Sequence, residues 1–401
     1  MVTFEALNAL YGDCLLLRYP GPDGNERLWI IDGGPKSDKV SGKPLAVWKD
    51  VLLPRLKEIY PTTTPVPVAL GMVSHIDDDH INGIQKLTNE LVAATPANPT
   101  AVKFARFWFN SFDDLVGPKP AGLPADVAMA TTASLVDQVL PHVDDDHAQL
   151  VMESVPQGMA LAADLGTLKL KGNKPINGLV VAKKGQEAFT IDGAKLTVIG
   201  PRQDRIDKLR AEWANALQKP TKEARQAALQ DLFLSDKSLD RSVPNLSSIV
   251  VLVERQGRKL LLTGDANGKD IVSAWGELGL EAGPVKIDLL KMPHHGSVRN
   301  TPKNFLQLFV ADHYVFSANG KYDNPDPPVI EAIVKMRGHR KIALHFTNAD
   351  LTWSKPYKLE KDKQTVSNLA GMLAALRTAY PGPWSANARK PSDKSVAVQL
   401  S

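Results

Sequence analysis

The chain carries one cysteine, Cys14, in 401 residues. A single thiol excludes an intramolecular disulfide, and it also excludes a zinc site built on thiolates. Met1 to Asp13 lack the basic start and apolar middle of a secretion signal. No window of about 18 consecutive apolar residues occurs, so nothing reads as a bilayer span. The expectation is a cytoplasmic protein with no membrane partner. Strong charge of one sign is also missing. A formal net charge of +4 permits a nucleic acid or another anionic partner without arguing for one. No internal repeat is visible. What remains is ordinary globular material, 43% hydrophobic and 23% charged, long enough to bury a full core.

One stretch stands out, Ser74-His75-Ile76-Asp77-Asp78-Asp79-His80-Ile81-Asn82-Gly83. The apolar run Val66 to Val73 feeds into it, and a helical run is expected from near Ile84. This places a loop at the carboxyl end of a buried strand, where α/β folds hold ligands. Imidazoles and carboxylates packed so densely cannot all be core residues, because unpaired buried charge is too costly. A divalent cation turns mutual carboxylate repulsion into coordination and keeps the imidazoles neutral. The plain alternative is a solvated acidic loop.

Around this stretch, strands are expected at Val2 to Asn8, Cys14 to Tyr19 and Leu28 to Ile31, then a helix over Leu45 to Ile59 and a strand over Phe104 to Phe109. Strands return at Lys195 to Ile199, Ser248 to Glu254 and Lys259 to Thr263. An alternating series follows: helix Lys269 to Leu278, strand Ile287 to Met292, helix Pro302 to Phe309, strand Tyr314 to Phe316, helix Pro328 to Met336 and strand Lys341 to Leu344. Two polar helical segments, about 113–153 and 202–240, read as insertions, the second with Trp213, Leu217 and Leu229 inward. Its basic residues, among them Lys208, Arg210, Lys219, Lys222 and Arg225, are interleaved with acids and read as a solvated face. Residues 351–401 are weakly patterned and form a C-terminal extension packed on a domain of residues 1–350. Two strand-rich halves with helices between them suggest an α/β (α+β) protein, with two sheets face to face and helices outside.

Three more loops put ligand-type residues at strand ends: Asp32 after Trp29-Ile30-Ile31, Asp265 after Leu262-Thr263-Gly264, and His294-His295 after Met292-Pro293. Each alone is weak, since a strand-end Asp is usually a turn former. Strand-end loops on one side of a sheet converge, so His75, Asp77, Asp79, His80, Asp265 and one or both of His294 and His295 could gather around one or two ions. An all-nitrogen and oxygen ligand set suits zinc, manganese or iron.

The loop resembles the signature of the metallo-β-lactamase-fold hydrolases, in the form His-x-Asp-x-Asp-His. Tyr11-Gly12-Asp13-Cys14, Ile31-Asp32-Gly33-Gly34, Asn245-Leu246-Ser247-Ser248, Leu262-Thr263-Gly264-Asp265 and Lys291-Met292-Pro293-His294-His295-Gly296-Ser297 narrow the resemblance. They point to the subgroup typified by the soluble hydrolase domain of ComEC-type DNA-uptake proteins. The resemblance implies an αββα sandwich with the metal site at one edge between the sheets. It implies His75 and Asp77 on a first metal, Asp79 and His80 on a second, and Asp265 bridging them. One of the paired histidines, His294 by preference, would add a ligand, leaving His295 to donate to an oxyanion. Asp32 would orient the loop.

Two departures from that pattern stand out. The family's central ligand histidine is missing, with Asn110, His142 and His147 the remaining candidates. The family's Tyr-Gly-His-Pro segment is here Tyr322-Asp323-Asn324-Pro325, where Asn324 could bind substrate but not act as an acid.

The function this implies is a hydrolase using one or two divalent ions, zinc or manganese, most simply a phosphodiesterase or nuclease acting on an anionic substrate such as nucleic acid or a nucleotide. Asp79 could also orient the attacking water. Lys291 or Lys321 could offer a cation to phosphate, with surface placement the plainer expectation for both. Hydrolysis of a carboxylic or thioester substrate is a second reading, and a binding module with a vestigial site a third.

Overall fold

The computed structural model describes residues 1–36, 38–40, 43–97, 99–138, 146–233 and 247–401. Its architecture follows from a period of two along the strands. In Leu15–Pro20, Leu15 and Leu17 face one core, whereas Leu16 faces another. In Glu26–Ile31, Trp29 and Ile31 join the first core, and Leu28 and Ile30 the second. Strands apolar on both faces must be covered on both.

A six-stranded sheet runs in the order Ser395–Leu400, Val2–Leu7, Leu15–Pro20, Glu26–Ile31, Leu70–Met72, Phe107–Trp108. An eight-stranded sheet runs Phe189–Ile191, Ala194–Gly200, Val250–Arg255, Arg258–Leu262, Val285–Lys291, Phe309–Phe316, Ala343–Phe346, Ser385–Ala388. The central core lies between them. Phe4, Leu17, Trp29 and Trp108 of the first sheet meet Leu196, Val251, Leu260 and Leu289 of the second. Outside the first sheet lie helices that supply Ile84, Leu87, Phe112 and Trp213. Outside the second lie helices that supply Ile271, Trp275, Ile330 and Met372. The layers are therefore α, β, β, α, the sandwich expected from the sequence.

The segments expected as insertions contribute helices to the first outer layer, and one of these helices, Asp146–Thr167, runs past the expected bound. Helix Asp146–Thr167 lies along Asp78–Val92, where Gln157 Oε1 accepts from Asn82 at 3.1 Å and Asp164 Oδ2 from Thr88 at 2.8 Å. Helices Gln203–Leu217 and Lys222–Phe233 bury Trp213, Leu217 and Leu229.

The weakly patterned tail is woven into both sheets. Ser395–Leu400 pairs antiparallel with Val2–Leu7, and Ser385–Ala388 lies parallel to Ala343–Phe346. The latter strand reads Ser-Ala-Asn-Ala, too small and polar to announce itself. Among the described residues, no helix is long and apolar enough to cross a membrane.

Candidate metal centre

Loops from several distant parts of the chain converge at the ends of the central strands. The helix expected from Ile84 begins earlier, at Asp78, with Asp77 extended at the N-cap position. Asp79 and His80 therefore sit in a first helical turn, where the helix dipole favours anionic side chains, and His80 is turned into the core. The neighbouring backbones approach this turn so closely only through glycine. A Cβ on Gly12 would lie 1.9 Å from the Asp79 carbonyl oxygen, and one on Gly83 would lie 2.0 Å from that of Gly33. The Tyr11-Gly12-Asp13 turn consequently lies flat against the acidic loop, with the Asp13 N–H donating to the Asp79 carbonyl at 3.1 Å.

The histidine pair stands on a tight turn. His294, His295 and Gly296 have φ of 43°, 54° and 92°, a left-handed run uncommon for non-glycine residues. The His294 N–H donates to Gly264 O at 3.1 Å and the Ser297 N–H to His294 O at 2.8 Å, which hold the run in place. Strain of this kind persists where its surroundings over-determine it. Here it turns both imidazoles towards Asp265, with His295 Nε2 3.3 Å and His294 Nε2 3.7 Å from Oδ2.

Asp13, His80, Asp265 and His295 form a buried group in which one ligand-type atom from each lies within 4.8 Å of the others. The two nitrogens of each ring face different partners. His80 turns Nδ1 to Asp32 Oδ2, 2.9 Å away, and Nε2 to Asp265 Oδ1 at 3.3 Å and Asp79 Oδ1 at 3.9 Å. His295 turns Nδ1 to Asp13 Oδ1 at 3.4 Å and Nε2 to Asp79 Oδ2 at 3.1 Å. Ligand bonds of about 2.0–2.1 Å put the corners of a tetrahedral ion about 3.3 Å apart. His80 Nε2 and Asp265 Oδ1 are spaced like two such corners, and so are His295 Nε2 and Asp265 Oδ2. Asp32 and Asp13 stand behind them and orient the rings through Nδ1.

His75 and Asp77 supply a neighbouring pair, His75 Nε2 lying 3.4 Å from Asp77 Oδ2. The buried atoms His75 Nε2, Asp77 Oδ1, His80 Nε2 and Asp265 Oδ1 have no hydrogen-bond partner among the described residues. Buried polar atoms left in that condition are rare and need an explanation. A divalent cation fits this nitrogen and carboxylate set, which suits zinc or a harder ion such as manganese.

Charge is balanced internally. Burial disfavours ionisation here, yet the facing Asp265 and Asp79 carboxylates hold the His80 imidazole well above its usual range. Against the same burial, Asp265 holds that of His295 there too. His295 and His80 in turn draw Asp265 well below the ordinary carboxylate range, overcoming its desolvation. Asp13 is lowered against its burial chiefly by Lys291.

Lys291 corrects an expectation. It is not on the surface but 1% exposed, bonded to Asp13 and 3.7 Å from Asp265 Oδ1. Lys321 is exposed, with its ammonium 4.2 Å from the centre of the Tyr11 ring. Asp13 is the residue that reasoning from the sequence passes over. The signal that could have found it is an acid in the turn between two largely apolar strands, whose charge needs a partner once the turn is buried.

Asn110 is held by the chain opposite, donating to Val180 O at 2.8 Å and accepting from Val180 N at 2.9 Å. Asn324 stands in the turn before helix Pro327–Arg337, and its carbonyl accepts from Gly320 N at 3.2 Å. His142 lies outside the described residues, as does the side chain of His147.

The four-layer sandwich with this candidate ligand cluster at the strand ends is the architecture that the resemblance in the sequence implied. No sequence profile of a known family matches the chain. The chain is 29% identical over 110 residues to ComE operon protein 3 of Bacillus subtilis (strain 168), a stretch covering 26% of this chain and 13% of that protein. Among solved structures, a mutant of the CmlA beta-hydroxylase aligns over 100% of this chain and 54% of its own, at 11% identity and a TM-score of 0.36. The fold is defined by the strand order and the layering themselves.

Proposed function

We propose that the protein is a metal-dependent phosphodiesterase acting on nucleic acid or a nucleotide-like diester. The observation that carries this reading is the buried group of Asp13, His80, Asp265 and His295, in which His80 Nε2 and Asp265 Oδ1 have no hydrogen-bond partner among the described residues. His80, His295, Asp79 and Asp265 would hold one ion, and His75 and Asp77 a second beside it. An ion bound there supplies a water of pKa about 7 and neutralises charge on a phosphoryl oxygen.

The chain's own groups do the rest. Asp32 fixes the Nδ1 side of His80 and, through its carboxylate, also accepts from Ser74 N at 2.7 Å and Ser74 Oγ at 2.8 Å. Asp13 fixes His295 from behind. A ligand set rich in carboxylates is hard, which favours manganese or magnesium-like ions and phosphate esters over sulfur-bearing substrates. The motifs that resemble those of ComEC-type domains support the same substrate class.

The test is turnover of bis(p-nitrophenyl) phosphate by protein stripped and reloaded with manganese or zinc, with Asp265→Ala as the matched control. Metal-dependent turnover that vanishes in the variant is expected. Protein shown to carry its ions and inactive on every phosphodiester would overturn the proposal.

A further inference from the structure

Beside the ligand cluster lies an aromatic and cationic rim that the chemistry above does not use. Tyr11 and Tyr322 pack edge to face, with ring centroids 5.3 Å apart and an interplanar angle of 87°. The Lys321 ammonium stands 4.2 Å from the centre of the Tyr11 ring and 5.5 Å from that of Tyr322. Tyr322 is 54% exposed.

The rim is joined to the centre by the chain. Tyr11 adjoins Gly12, which touches the Asp79 backbone, and Asp13 faces His295. Tyr11 Oη also donates to Asp78 Oδ2 at 3.4 Å. The turn carrying Lys321 and Tyr322 is tied down on both sides. Asp323 Oδ1 accepts from Ser354 N at 2.6 Å, Asp323 N donates to Gly320 O at 2.9 Å, and Ser317 Oγ donates to Gly12 O at 2.7 Å. An exposed aromatic face held still is suited to stacking, because little conformational entropy is lost when a planar ring settles on it.

We infer that Tyr322, braced by Tyr11 and Lys321, is a stacking platform for an unpaired nucleobase next to the scissile phosphate. This deepens the phosphodiester reading and rests on it. A base has a π-face whatever its sequence, so stacking would be sequence-tolerant, with Lys321 taking an adjacent phosphate. A paired base offers no such face. The substrate is therefore single-stranded nucleic acid, or a nucleotide ester with its base exposed.

The test compares binding of two short fluorescent strands of equal length and charge, phosphorothioate-linked to slow hydrolysis, one of thymidine and one abasic. Fluorescence anisotropy is read on wild type, Tyr322→Ala and Tyr322→Phe, with bis(p-nitrophenyl) phosphate turnover measured on the same preparations. One stacked base is worth about 5- to 150-fold in affinity. Wild type is expected to prefer the thymidine strand by at least about fivefold, Tyr322→Ala to lose that preference, and Tyr322→Phe to keep it. Raising salt should weaken both strands and leave their ratio unchanged, since only the phosphate part is salt-dependent. Equal binding of both strands by wild type, no binding of either, or a preference that survives Tyr322→Ala would overturn the platform. Turnover without base preference sinks this inference alone. Base preference without any turnover keeps Tyr322 as a base-binding site but overturns both the phosphodiesterase reading and the placing of that site beside a scissile phosphate.

Discussion

The ammonium of Lys291 is bonded to the carboxylate of Asp13, and both are buried to within 1% of full enclosure. The same ammonium lies 3.7 Å from Oδ1 of Asp265. A fixed cation thus holds two acids of the candidate centre in place, and removing it strands a charge that water cannot reach. Breaking a buried pair from one side costs about 3–5 kcal/mol. Lys291→Met is expected to lower the unfolding free energy by that order in urea titrations. A loss below about 1 kcal/mol would mean that Asp13 is neutral or otherwise paired.

Metal should stabilise the folded chain independently of any activity. A ligand at one hundred times its Kd adds about 2.7 kcal/mol if it binds only the native state. The melting temperature of stripped protein is expected to rise on titration with manganese or zinc, and Asp265→Ala should show no rise. An equal rise in both proteins would place the ion elsewhere.

Asp32→Asn probes orientation of a ligand from behind. Asp32 has a φ of 57°, a conformation asparagine tolerates, so the turn should survive. What is lost is the carboxylate on His80 Nδ1. Loss of such a partner typically costs about 10- to 100-fold in metal affinity. Competition with a coloured chelator should show a shift of that size, together with unchanged far-ultraviolet circular dichroism. Unaltered affinity would show that His80 needs no such support.

A histidine pair away from the centre sets an acid limit on stability. His313 Nδ1 and His345 Nε2 are 3.0 Å apart on adjacent strands, and burial pushes His345 down to about 4. Folded His345 therefore stays neutral at pH values where the unfolded chain has taken up a proton. Its contribution is fully present above about pH 6.5 and is lost as pH falls towards about 4, at most about 3 kcal/mol. Asp312 and Asp288 act on His313 against its own burial, so the measured loss belongs to the pair. Urea midpoints between about pH 7 and pH 4.5 should fall more steeply for wild type than for His345→Gln. Parallel slopes would assign the acid sensitivity to the carboxylates instead.

Local chemistry in the sequence reached far towards the centre. His75, Asp77, Asp79 and His80 fall within one short stretch, strand-end placement allowed Asp265 and the histidine pair to gather with them, and the family resemblance implied their roles. Asp32 was legible for the same reason. Lys291 was misread, because a lysine in isolation is almost always solvated. Only the opposing Asp13, brought in from another loop, offsets the cost of burying it. The tail was equally silent. Val396, Val398 and Leu400 alternate, but nothing local says that their partner is the first strand of the chain.

The sequence by itself determined which residue types could hold an ion and which strands are apolar on both faces. Those are properties of spacing and side-chain chemistry, written in a few consecutive residues. The tertiary structure decided which ring nitrogen faces which carboxylate, that Lys291 closes the charge balance from inside, and that Tyr11 meets Tyr322 from the other half of the chain. Such pairings depend on packing two sheets against each other, and packing is a property of the whole chain.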